Sequence, residues 1–123
     1  MADMAEHKAL VDITVGPTDI VVRPLGWYKL WSFKGELRIP RTAVSSVHVA
    51  TRKSLAMTLG LRMPGTSVPG VLTAGTYISS GSKQFWVAGK AEYLLVLELS
   101  GQEYQRVVVQ VENAGDMLAR IKG

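Results

Sequence analysis

The chain of 123 residues has no cysteine, carries a formal net charge of +4, and is 47% hydrophobic against 20% charged. That balance is too apolar for a disordered chain, and the length fits one domain able to bury roughly two-thirds of its unfolded surface. Disulfides, thiolate nucleophiles and cysteine-based zinc sites are excluded together, and the apolar runs fall far short of the ~20 residues a membrane-spanning helix requires.

Residues 1–8 begin MADMAEH, acidic and small where a secretory signal or presequence would be basic and then apolar. They are read as a flexible tail ahead of a single domain over residues 9–123, with a cytoplasmic location expected. Charge is distributed unevenly: residues 1–19 sum to −3, residues 20–62 to +7 and residues 63–123 to zero. The excess comes from Arg23, Lys29, Lys34, Arg38, Arg41, Arg52, Lys53 and Arg62, set against Glu36 alone. Such asymmetry suggests an anionic neighbour, either phosphate-bearing or an acidic protein surface, against the plainer reading of a solvated basic face.

Along the chain, residues 10–15 alternate, with Val11, Ile13 and Val15 on one side and Asp12 and Thr14 on the other, the period of a half-buried strand. Gly16-Pro17-Thr18 turns the chain into a second short strand at 19–23, which Pro24 closes. Residues 24–35, PLGWYKLWSFKG, fit neither alternation nor a clean helical stripe, and are read as a short helix begun at Pro24 and ended at Gly35. Residues 36–39 and 46–50 are further strands, the second with Val47 and Val49 inward and His48 outward.

The stretch 60–77, GLRMPGTSVPGVLTAGTY, places glycine at 60, 65, 70 and 75, two of them after proline. Pro64-Gly65 and Pro69-Gly70 each read as a turn, since proline presets φ and glycine accepts the positive φ that follows it in a type II turn. The expectation is a long, shaped connection from 55 to 73, part of residues 55–61 pairing as an edge strand. A hairpin of 74–78 with 84–88 follows, through Ser79-Ser80-Gly81-Ser82-Lys83. The strongest hairpin joins 93–99 to 103–111 through Ser100-Gly101-Gln102, and its first strand is apolar on both faces, the mark of a sheet centre. Asn113 is a good N-cap with Asp116 three residues on, and Ala114, Met117, Leu118 and Ile121 form the stripe of a terminal amphipathic helix. The class is α+β, mainly β.

GLRMPGTSVPGVLTAGTY, then Phe85-Trp86, then EYQRVVVQVEN leading into the terminal helix, resemble the small bacterial proteins with a pleckstrin-homology-like fold, an actinobacterial-type group. Ile39-Pro40 with Val44 and Val47 also fits that pattern. The resemblance spans roughly residues 10–122 and implies a bent antiparallel sheet, or open barrel, of about seven strands capped by the C-terminal helix. Where the group places Asp-Pro at the start of that helix, this chain has Asn113-Ala114. The resemblance brings no activity and no catalytic residue with it.

The chain offers no recognisable cluster of nucleophile, tuned base or metal ligands, so no catalytic residue, cofactor or metal is assigned. His7 and His48 have no partner in sequence, and Glu98, inside the most apolar strand, either faces solvent or pairs with Arg106 across the hairpin. Two groups remain as candidate partner-binding residues. Arg62, Thr66 and Ser67 could meet an anion beside accessible glycine amides. Trp27, Lys29, Trp31 and Lys34, joined by Arg38, could sit at a lipid headgroup layer, though the aromatics would equally fill a core or a self-association face. The expectation is a non-catalytic binding or scaffolding module that presents a basic surface to a protein or an anionic lipid surface. Its location would then be peripheral to the membrane, and nucleic acid is not an expected partner. The alternative is a structural domain whose homo-oligomer is the functional unit.

Overall fold

The computed structural model describes residues 9–25, 36–51, 54–55, 61–68, 72–79, 82–89 and 91–122, the strands at 61–68 and 72–79 by their backbone pairing alone. The expected helix over residues 24–35 lies outside them apart from its first two residues, of which Pro24 ends a strand.

Strands β1 (Val11–Val15), β2 (Asp19–Pro24) and β3 (Leu37–Pro40) form an antiparallel meander. Alternation decides its two faces: Val11, Ile13, Ile20, Val22 and Ile39 are buried on one, while Asp12, Thr14 and Arg38 are exposed on the other. The β1–β2 turn closes with the Gly16 amide donating to the Asp19 carbonyl at 2.8 Å. A Cβ on residue 16 would stand 3.2 Å from that carbonyl oxygen, so the turn is tight enough to favour glycine.

Pro40, held at φ −61°, leads into a 3₁₀ turn (Arg41–Ala43) that forms the corner between two sheets. The Arg41 amide donates back to Thr18 in the β1–β2 turn, and the Ala43 carbonyl accepts from Ser100, just past a strand of the second sheet. The second sheet contains β4 (Val44–Thr51), β5 (Leu61–Val68), β6 (Leu72–Ser79), β7 (Ser82–Ala88), β8 (Tyr93–Leu99) and β9 (Arg106–Val109) in the order β4-β8-β9-β7-β6-β5. All its pairs are antiparallel except β7 with β9. Helix α1 (Ala114–Lys122) follows, capped as expected: the Asn113 side-chain oxygen accepts from the Asp116 amide at 3.0 Å.

Two cores explain why β8 is apolar on both faces from Leu94 to Leu97. Leu95 and Leu97, with Phe85, Val87, Val107 and Val109, pack against Ile20, Val22 and Ile39 of the first sheet and against Ala114 and Ile121 of α1. Leu94 and Val96, on the opposite face of β8, join Trp86, Val108, Ala91 and Leu55 in a smaller cluster. With both faces covered, none of the four residues 94–97 retains exposed surface. Each contributes roughly 1.5–3 kcal/mol of burial. The same two-sided covering fixes the alternation along β4, where Val47 and Val49 pack on the larger cluster and Ala50 on the smaller.

The structure is thus mainly β with one C-terminal helix, and it corrects the expectation of a bent antiparallel sheet or open barrel in three ways. There are two sheets rather than one closed or nearly closed wall, and the β7–β9 pair is parallel. The stretch 60–77 is largely a hairpin. Pro64-Gly65 lies inside β5, where pairing passes from Arg62↔Tyr77 to Gly65↔Gly75, so one extra residue is absorbed as a bulge. The second Pro-Gly falls at the hairpin end, between Val68 and Leu72, outside the described residues. Of residues 55–61, expected to pair in part as an edge strand, Leu61 opens the edge strand β5 while Leu55 is helical with Ser54, which bonds to Thr51 through both its amide and its hydroxyl, and residues 56–60 lie outside the described residues. Loop lengths also differ: Ser79 pairs with Ser82, and the last hairpin needs residues 100–105 because β9 begins only at Arg106.

Candidate functional site

The residues proposed from sequence do not come together as one described site. Trp27, Lys29, Trp31 and Lys34 lie outside the described residues. Arg62, Thr66 and Ser67 belong to β5, a sheet-edge strand, not to a loop. Arg38 is described fully, and it is occupied. Its guanidinium donates to Asp19 and to Glu36, each at 3.2 Å, while Arg23 reaches Glu36 at 3.1 Å and Asp12 at 3.5 Å. The hydrogen bond it donates to Asp19, followed by the nearby charge of Glu36, raises the Arg38 guanidinium above its ordinary value.

This network overturns the simplest reading of the charge distribution. The acidic 1–19 segment and the basic 20–62 segment are adjacent strands of one meander, so Asp12 and Asp19 neutralise Arg23 and Arg38 across the ladder. Elsewhere Lys83 pairs with Glu103 at 3.0 Å, and Arg106 grips Glu98 through two nitrogens at 2.8–3.2 Å. The Glu98–Arg106 pair is the one expected from the hairpin. Both side chains are about one-quarter exposed, at 27% and 25%.

Of the cations whose side chains are described, Arg41, Arg120 and Lys122 are left with no carboxylate partner. They gather at the C-terminal end of α1. Arg41 is fixed there: its guanidinium donates to the Gly16 carbonyl at 3.3 Å and to the Ile121 carbonyl at 3.2 Å, satisfying one of the carbonyls a helix end leaves open. Two backbone oxygens orient it without cancelling its charge.

Arg41 and Lys122 border a groove of about 370 Å³ between α1 and the start of β4. Ile20, Val44, Val47 and Ile121 give it an apolar floor, and Ser45 and Ser46 add hydroxyl groups. The exposure of Ser45 has a local cause. Pairing passes from Val44↔Leu99 to Ser46↔Glu98, so Ser45 is an extra residue bulged from the edge strand. The groove therefore offers two cations, two hydroxyls and an apolar base, a donor-rich concavity suited to a carboxylate or phosphate carried on an apolar stem.

Compared with family models, curated proteins and solved structures, the chain matches none. The groove must be read from its own chemistry. Among the described residues no group of three or more His, Asp and Glu side chains is placed to hold a metal ion, and no helix is long and apolar enough to cross a membrane. Sequence reasoning passed over Arg41, Ser45, Ser46, Arg120 and Lys122 as a group because nothing in their spacing joins them. In sequence Arg41 is one of eight basic residues between positions 20 and 62, and Lys122 lies at the far end of the chain. Only the corner turn brings the first beside the second.

Proposed function

We propose that this chain is a non-catalytic binding module of the pleckstrin-homology-like type, which receives an acidic segment of a protein partner in the groove between α1 and β4. The strand-rich body with a packed C-terminal helix supports that type. The observation that carries the binding reading is the segregation of charge: Arg23, Arg38, Lys83 and Arg106 are held in ion pairs, while Arg41 and Lys122 border a concavity without a counter-ion. A protein segment is favoured over a lipid surface on magnitude. Three cations near an anionic bilayer supply only about 3 kcal/mol, too little for lasting attachment unless apolar groups also insert. A concave site with an apolar floor, by contrast, adds burial of the partner's side chains to the charge.

A labelled oligoglutamate peptide and anionic vesicles, each titrated at low and high salt, test the reading. Peptide binding at low salt that weakens with salt and is lost in Arg120→Glu/Lys122→Glu is expected. Absence of peptide binding at low salt overturns it, and vesicle binding without peptide binding transfers the site to a lipid surface.

A further inference from the structure

Among the described residues the two sheets present four edge strands, and three are blunted. β3 is four residues long and carries Arg38 and Pro40. β5 contains Arg62 and Pro64 and is bulged between Arg62 and Gly65. β1 carries Asp12, and at its start the Leu10 amide is taken by the Gln110 carbonyl of the other sheet. Charge, proline, bulges and covering contacts are the devices by which edges avoid pairing with other chains.

β4 lacks them over most of its length. Its sequence, VSSVHVAT, has neither a formally charged residue nor a proline, and its single bulge lies at Ser45, leaving residues 47–51 in regular register with β8. Among the described residues its backbone pairs with β8 and with no other strand. Val47 and Val49 are only partly buried against the main core, so the edge is apolar as well as unpaired.

We propose that this edge pairs with the same edge of a second copy of the chain, antiparallel about a two-fold axis at Val49. That register sets Val49 against Val49, Val47 against Thr51 and His48 against Ala50. Every pair lies on a common face, because residues whose numbers differ by an even count point the same way. No acidic or lysine or arginine side chain meets another across the axis, and the valine row carries the core from one copy into the next. Closure at two copies follows from the far edge of the same sheet, since Pro64, Arg62 and the bulge in β5 deny the head-to-tail pairing that would build a filament. The interface begins at Val47, which also floors the groove, so the two features adjoin at that residue, while the groove's cations, Arg41 and Lys122, lie outside the paired strand.

Sedimentation equilibrium of the full chain over a wide concentration range, paired with amide hydrogen exchange at its two ends, tests this. The expected result is a mass rising from monomer to dimer, with the amides of residues 47–51 that point away from β8 protected only at high concentration. Val49→Lys, which brings two ammonium groups together on the axis, abolishes the dimer, while Arg120→Glu/Lys122→Glu leaves it intact. A monomer at every concentration overturns the proposal, as does a dimer with no concentration-dependent protection in β4. Should Val49→Lys lose its fold by circular dichroism, the exchange pattern of the unaltered chain decides alone.

Discussion

Gln110 shows how much one buried polar group can hold. It is 5% exposed, and its side-chain oxygen accepts from the amides of Gly89 at 2.8 Å and Ala91 at 3.2 Å, fastening the β7–β8 connection to the end of β9. Gln110→Ala strands two buried N–H groups, each costing about 1–3 kcal/mol, so a loss of about 2–6 kcal/mol in urea unfolding is expected. Lys83 makes the opposite case, an exposed pair whose effect appears in its pH dependence. Its hydrogen bond to Glu103 raises it above the ordinary 10.5, so the folded state holds that proton more tightly than the unfolded chain does. The stability this confers is full below pH 10.5 and is lost as pH rises through the elevated folded value. Lys83→Met should therefore melt slightly below the unaltered protein in mildly alkaline buffer, with the gap closing in strongly alkaline buffer. At this scale the sequence could not separate Arg38 from Arg41. Both sit in the same basic stretch, and what distinguishes them, a carboxylate at position 19 or a carbonyl at position 121, depends on the fold.

Elements whose signal is local were legible. The alternation of 11–15, the two-sided apolar run of 93–99, and the Asn113 cap with its helical stripe follow from period and side-chain chemistry within a few residues, and each stands as expected. Asn113→Ala should cost about 1 kcal/mol in denaturant unfolding, while Asn113→Asp should hold or slightly raise stability, because an anion suits the positive end of the helix. Pro64-Gly65 was illegible for a physical reason: the dipeptide permits a turn, but the ladder with β6 is stronger than its local preference, and the misfit emerges as a bulge. The parallel β7–β9 pair has no local signature either. Its register of Gln84 with Arg106 joins strands separated by the whole of β8.

At the scale of the whole molecule, neutral and charged surfaces are sorted to different places. Salt-bridged residues cover the outer face of the small sheet, free cations gather at the helix end, and an uncharged strand closes one side of the large sheet. Added salt should accordingly release an acidic ligand from the groove while leaving dimerisation unchanged or strengthened, because each copy carries net charge of +4. Titrating both assays against sodium chloride checks this, and parallel loss of the two would mean that they share one surface. The groove was hidden from sequence because its halves are far apart in the chain, Arg41 and Ile121 being separated by 80 positions. That distance also governs how the protein is made. The first strand is tied at Leu10 to the carbonyl of Gln110, and β4 has no partner strand until β8 exists. The small sheet, contained within residues 11–40, can pair as soon as those residues are made, whereas the large sheet waits for β9 at 106–109, and until β8 exists the uncharged β4 segment has no described strand beside it. An early small sheet, a late large one, and an interval in which β4 stands unpaired are consequences of where the strands fall along the chain.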